Sequence, residues 1–162
     1  MVIKKACKIL GIDPGVARVG WGLIEVCGGN LKPLAYGCIE TAAHENHLER
    51  LKQIKDKLEK ILDKFQPDQV AIEKLYFAQN VTTALTVGEA RGVILYTIIS
   101  KGLNCCEFTP LEIKQAICGY GRASKDQIQK MVMGILKLKE IPKPDDAADG
   151  LAIAITASQT KF

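Results

Sequence analysis

KILGIDPGVARVGWGLIE, residues 8–25, begins with the apolar positions Ile9, Leu10 and Ile12 and stops abruptly at Asp13-Pro14-Gly15. Such a run reads as a buried strand, and Pro-Gly is a turn signal that must end it. Asp13 therefore stands at the last strand position, on the rim of a sheet. This stretch alone leaves two readings open. The acid either starts a turn by bonding backbone two residues on, or it is carried to the rim for chemistry.

The rest of the chain supplies the sheet. VGWGLIEV (19–26) and LKPLAYGCIET (31–41) read as strands joined through Cys27-Gly28-Gly29-Asn30. NHLERLKQIKDKLEKILDKF (46–65) spaces Leu48, Leu51, Ile54, Leu58, Ile61, Leu62 and Phe65 as one helical face. Its Lys/Glu pairs form the solvated face. Gln66-Pro67-Asp68 breaks that helix, and QVAIE (69–73) reads as a short buried strand that also ends on an acid, Glu73. Residues 81–100 predict a long helix whose Gly88 and Gly92 would admit a close neighbour, and LNCCEF (103–108) a fifth strand. Thr109-Pro110-Leu111-Glu112 and Ser124-Lys125-Asp126-Gln127 are capping boxes, with the glycine-rich loop CGYGRA (118–123) between them. KPDDAADGLAIAITAS (143–158) opens a terminal helix at its proline and acids.

Hairpins make the first three strands antiparallel, whereas the crossovers bring the later strands parallel to the first. The expectation is an α/β fold, a mixed five-stranded sheet covered by helices, in a single domain spanning 1–162.

Composition narrows the class. With 48% hydrophobic and 25% charged residues the chain reads as a soluble globular protein. No apolar run approaches the ~20 residues that cross a bilayer. The first residues, Met1-Val2-Ile3-Lys4-Lys5, lack a signal-peptide core, so no membrane and a cytoplasmic location are expected. The six cysteines show no CxxC pairing, which argues against zinc and for reduced core thiols. Between Glu112 and Lys143 seven bases face three acids, so this one segment holds the whole net charge of +4. Clustered base suits a polyanionic partner, and a solvated helix face is the other reading.

Asp13 and Glu73 end strands expected to run the same way, so their carboxylates can converge at one sheet edge. Asp146 and Asp149 are three apart at a helix start and share a face. First-turn acids also stabilise a helix through capping and the dipole. That is the reading for Asp145; for Asp146 and Asp149 spacing alone leaves both open. Four carboxylates gathered without histidine or cysteine suit a hard cation, Mg²⁺ or Mn²⁺. Beside a polyanion the natural chemistry is two-metal phosphodiester hydrolysis, one ion activating water and the other stabilising the leaving oxygen.

Four stretches together carry a resemblance: GIDPGVARVGWGLIE (11–25), AIEKLYFAQNVTTALTVGEARGV (71–93), EIKQAICGYGRASKDQIQKMV (112–132) and PDDAADGLAIAIT (144–156). In order and spacing, over nearly the whole chain, they resemble the RuvC family of Holliday-junction resolvases. The resemblance implies a ribonuclease H-like fold, a homodimer, and cleavage of four-way junction DNA by paired nicks. It implies two Mg²⁺ ions per site (Mn²⁺ the alternative) and a partner motor of the RuvA and RuvB type. It maps the catalytic acids onto Asp13, Glu73, Asp146 and Asp149. Tyr76 and Phe77 fall where the family stacks aromatic residues on bases, and Lys114 and Lys125 match its basic residues near the scissile phosphate. Arg122 is a weaker phosphate candidate. Three positions depart from the family: Tyr76 for Phe, Lys74 for an acid or Gln, and Gly150 for a helix-favouring Ala. The last would weaken its helix by up to ~1 kcal/mol. Rival readings are an RNA-processing nuclease of the same fold, a sugar-kinase-like phosphotransferase and a non-catalytic junction binder.

Overall fold

Strand β1 (Cys7–Asp13) is the middle strand of a sheet ordered β3-β2-β1-β4-β5. The computed structural model describes residues 6–75 and 81–160. β1 pairs antiparallel with β2 (Arg18–Cys27), which pairs antiparallel with β3 (Asn30–Glu40). β4 (Gln69–Glu73) lies parallel to β1, and β5 (Cys105–Phe108) parallel to β4. The mixed five-stranded sheet is therefore as expected, although β5 is shorter than the stretch 103–108. The β2–β3 hairpin turns on Gly28 and Gly29, whose φ values of 58° and 88° favour glycine.

Among the described residues five helices cover the two faces: α1 (His47–Phe65), α2 (Val81–Ser100), α3 (Pro110–Cys118), α4 (Lys125–Ile135) and α5 (Asp145–Ser158). Strand side chains alternate in direction. Leu10, Ile12, Leu23, Val70 and Ile72 pack on Ile54, Leu58 and Leu62 of α1 and on Ala90, Ile94 and Ile98 of α2. The opposite set, Ile9, Ile24 and Ala71, packs on Ile113 and Ile117 of α3, Val132 of α4, and Leu151, Ile153 and Ile155 of α5. The same alternation aims Asp13 and Glu73 toward the α3–α5 side. Both capping boxes form, Thr109 with Glu112 and Ser124 with Gln127, and they set the starts of α3 and α4.

Helix α5 is apolar almost all round and lies backbone-to-backbone on β1 and β2. A Cβ at Gly20 would land on the carbonyl oxygen of Asp146, and one at Gly11 on that of Gly150. A Cβ at Gly22 would stand 2.5 Å from the Leu151 nitrogen, and one at Gly150 2.5 Å from the Trp21 backbone. Gly150 is thus more than a weak point in a helix; it lets α5 reach the sheet.

Three expectations are corrected. Leu48, counted on the buried face of α1, is 75% exposed, because it lines an open groove between α1 and α2 with Leu51, Gly92 and Tyr96. Among the described residues nothing packs closely on Gly88 or Gly92: a Cβ at Gly88 would meet only Leu75, at 3.9 Å, and at Gly92 nothing within 4 Å. The cysteines are core-lining rather than fully buried: Cys7, Cys105, Cys106 and Cys118 pack half-buried against the two core clusters, Cys38 is half-buried and Cys27 is exposed.

The seam yields a prediction of sign. Gly20→Ala should overpack α5 against β2, by about 1–3 kcal/mol, and lower the melting temperature by roughly 2–4 °C per kcal/mol. Gly134→Ala, in α4 with open space around its Cβ position, should instead raise it slightly. Scanning calorimetry of both variants checks the pair.

Candidate active site

Three segments far apart in sequence meet at the rim. Asp13 ends β1, and Asp146 and Asp149 lie in the first turns of α5; one carboxylate oxygen from each falls within 4.8 Å of the others. Glu73 ends β4 one residue past the Ile12–Ile72 pair of the β1–β4 ladder, and its side chain is hydrogen-bonded to that of Asp13. The parallel pairing of β1 and β4 is what sets the two strand-end acids side by side. Asp145 does not cap α5, whose N-cap is Pro144 with no side-chain hydrogen bond. It contributes as a first-turn acid at the positive end of the helix dipole, and its charge adds to those that raise Asp149 and Lys125.

A pocket opens over these acids, lined by Asp13, Glu73 and Asp149, by Lys114 of α3 and Lys125 of α4, and floored by Ile113 and Ile128. Lys125 pairs with Asp149 at 3.1 Å, and it starts α4, where free amide groups also favour an anion. Asp146 does not line the pocket, and it also meets Arg18 at 3.6 Å; Arg18 is held in turn by Glu40 at 3.5 Å. Arg122 is exposed in the loop after α3 and does not line the pocket. Tyr76 and Phe77 lie outside the described residues. Lys74 is exposed, and its backbone N–H extends the β4–β5 ladder to Phe108 at 2.8 Å.

Arg18 is the residue that sequence reading missed. Counting back from the hairpin turn would set it opposite Ile39, but a register shift between Leu23 and Ile24 sets it opposite Glu40 instead. A bulge of this kind leaves no reliable mark in the sequence.

Burial dominates the electrostatics. Desolvation, then the charges of Glu73 and Asp149, pushes the Asp13 carboxyl from 3.8 up to about 8. Burial also raises Glu73, against the hydrogen bond from Asp13, and raises Asp149, against its bond to Lys125. Lys125 is itself raised: desolvation opposes this, but the hydrogen bond and charge of Asp149 outweigh it. Carboxylates crowded in low dielectric cannot all ionise unless a cation joins them. An all-oxygen donor set under that stress fits a hard divalent ion.

A mixed sheet in this order, with its acids gathered where β1 and β4 end beside α5, defines a nuclease of the ribonuclease H-like class. The chain belongs to the RuvC family: the family model described as "Crossover junction endodeoxyribonuclease RuvC" matches residues 9–157. It is 54% identical over 152 residues to the crossover junction endodeoxyribonuclease RuvC of Heliobacterium modesticaldum, covering 94% of each chain. To that of Brevibacillus brevis it is 51% identical over 152 residues, covering 94% of this chain and 92% of the relative. The structure of Thermus thermophilus RuvC in complex with Holliday junction substrate superposes with a TM-score of 0.88 at 35% identity, over 94% of this chain and 93% of that one.

The raised carboxyls make stability depend on pH. Asp13 binds its proton more tightly folded than unfolded, so its contribution is full below pH ~4 and is lost as pH rises through about 8. Glu73 and Asp149 act in the same direction. Without divalent ions the melting temperature should fall between about pH 4 and pH 8, and Asp13→Asn should flatten that slope. Added Mg²⁺ should raise it more at pH 8.5 than at pH 6. Melting curves across pH, with EDTA or Mg²⁺, read all three.

Proposed function

We propose that this chain resolves four-way DNA junctions by paired nicks on opposing strands, and that Asp13, Glu73, Asp146 and Asp149 hold the divalent ions it uses. What supports the reading is one observation: in a RuvC-family chain, acids from three separate segments meet in a pocket whose other polar wall is Lys114 and Lys125. Mg²⁺ is the expected ion, with Mn²⁺ the alternative, and four carboxylates suffice for two ions per site. Bound there, a divalent cation supplies Lewis-acid stabilisation of the phosphodiester and acidifies water.

The protein's own groups do the rest. Asp13, whose carboxyl is raised to about 8 by burial and by its acidic neighbours, would hold a divalent ion as a carboxylate, its proton passing to solvent. Lys125 leaves Asp149 for the scissile phosphate, since a DNA phosphate and a carboxylate compete for the same ammonium. Lys114 holds the phosphate from α3. Ile113 and Ile128 exclude water from the pocket floor and strengthen each charge interaction there. Arg122 touches phosphate outside the pocket, and Tyr76 and Phe77 stack on bases at the crossover.

Paired nicks need two sites, and the described residues supply one. Leu85, Tyr96 and Ile99 of α2, with Leu48 of α1, are each more than 60% exposed. A second copy covers this apolar face in a two-fold homodimer. The whole of 1–162 acts as one domain, in the cytoplasm, alongside a branch-migration motor of the RuvA and RuvB type. Among the described residues no helix is long and apolar enough to cross a membrane.

Glu73→Gln should bind a synthetic four-way junction at near-normal affinity yet cut it at least a hundredfold more slowly. Asp13→Asn and Asp146→Asn should match it without adding to it, because the acids work as a unit. Normal nicking by Glu73→Gln would overturn the assignment. Lys125→Ala should lower the slope of log affinity against log salt by about one. Light scattering should give a dimer, with Tyr96→Asp shifting it to monomer; a monomeric wild-type chain on junction DNA would refute the assembly.

A further inference from the structure

Arg91 lies on the inward side of α2, away from the pocket, and its side chain is only 17% exposed. Its Nε donates to the backbone carbonyl of Glu73 at 3.2 Å. Its other end forms a charge-assisted hydrogen bond with the Glu107 carboxylate of β5. The β1–β4 ladder runs from Ile9–Gln69 to Ile12–Ile72, so the Glu73 carbonyl lies past its last pair. On the other side β4 is still paired, Glu73 with Phe108, and the Lys74 N–H donates to the Phe108 carbonyl. The peptide that follows Glu73 is thus held at its N–H by β5 and at its oxygen by Arg91.

We infer that Arg91 is a positioning residue for Glu73. Fixing that peptide fixes the Cα–Cβ direction of Glu73, and so where its carboxylate meets Asp13. A guanidinium suits the task because one planar group serves two acceptors at once, the carbonyl of β4 and the carboxylate of β5. Its own place is set by α2, whose Ala90, Ile94 and Ile98 are fully buried against the sheet. A strand end left without such a brace would fray, and a ligand displaced by about 1 Å is enough to slow a reaction severely. The inference rests on the reading of Glu73 as a metal ligand.

The test is Mg²⁺ binding to the DNA-free protein by calorimetry, with melting, junction affinity in Ca²⁺, and cleavage kinetics alongside. Arg91→Met keeps the packing and removes the donors; it should weaken Mg²⁺ binding about tenfold and lower kcat similarly, with the junction KM within twofold. Arg91→Lys keeps the charge beside Glu107 and the fold, but one ammonium cannot hold both acceptors; a loss of about threefold is expected. In a Glu73→Gln background Arg91→Met should weaken Mg²⁺ no further, since it acts through Glu73. Wild-type Mg²⁺ affinity and kcat in either folded variant would overturn the inference, as would full additivity with Glu73→Gln. The Glu73→Gln single variant separates the two failures. If it binds Mg²⁺ and cuts normally, the site assignment falls and this inference with it; if it is crippled while the Arg91 variants are normal, only the role of Arg91 is lost.

Discussion

Everything at the rim depends on one contact, the backbone of α5 lying directly on the backbones of β1 and β2. Helices usually rest on sheets through side chains, which keep the two backbones ~10 Å apart. Here Gly11, Gly20, Gly22 and Gly150 remove the side chains between them. The first turns of α5 therefore reach the end of β1, and Asp146 and Asp149 come within ligand distance of Asp13. With an ordinary spacing the acids would face one another across solvent.

That closeness sets the electrostatic state of the site. Bringing three or four carboxylates into a half-buried rim is unfavourable, and the chain relieves it in two ways without any ion. Asp13 keeps a proton, and cations are drawn in from two sides, Lys125 onto Asp149 and Arg18 onto Asp146. Each of these is removable: a proton can leave, and half-exposed cations can swing to phosphate. Sites that must accept a strongly charged ligand are commonly held under this kind of stress. Stability surrendered at the rim is made up by a continuous apolar core on both faces of the sheet.

The sheet also divides the labour of the surface. α3, α4 and α5 cover the face that carries the acids and the lysines, and the basic segment from Glu112 to Lys143 lies there. α1 and α2 cover the other face, where the large exposed apolar residues Leu48, Leu85, Tyr96 and Ile99 gather. One face carries the acids and the bases and the other a set of exposed apolar side chains, and α2 reaches the end of β4 through Arg91.

Much of this was legible in the amino-acid order itself. Period-two and helical spacing are local, so the five strands, the capping boxes and the antiparallel-then-parallel sheet could be read directly. Strand-end acids could be read too, because Asp13 before Pro14-Gly15 and Glu73 after an apolar run have no local reason to stay buried. Other features arise only when distant segments meet. The bulge that moves Arg18 from Ile39 to Glu40 depends on how β2 fits β3. Gly150 reads locally as a helix weakness and becomes a necessity only against Trp21. Gly88 and Gly92 read as a close-packing site, yet nothing in the described chain fills it. Leu48 fits a buried helical face by spacing and in fact lines an open groove beside α2. Sequence spacing determines which way a side chain points, but only tertiary packing decides what stands there to meet it.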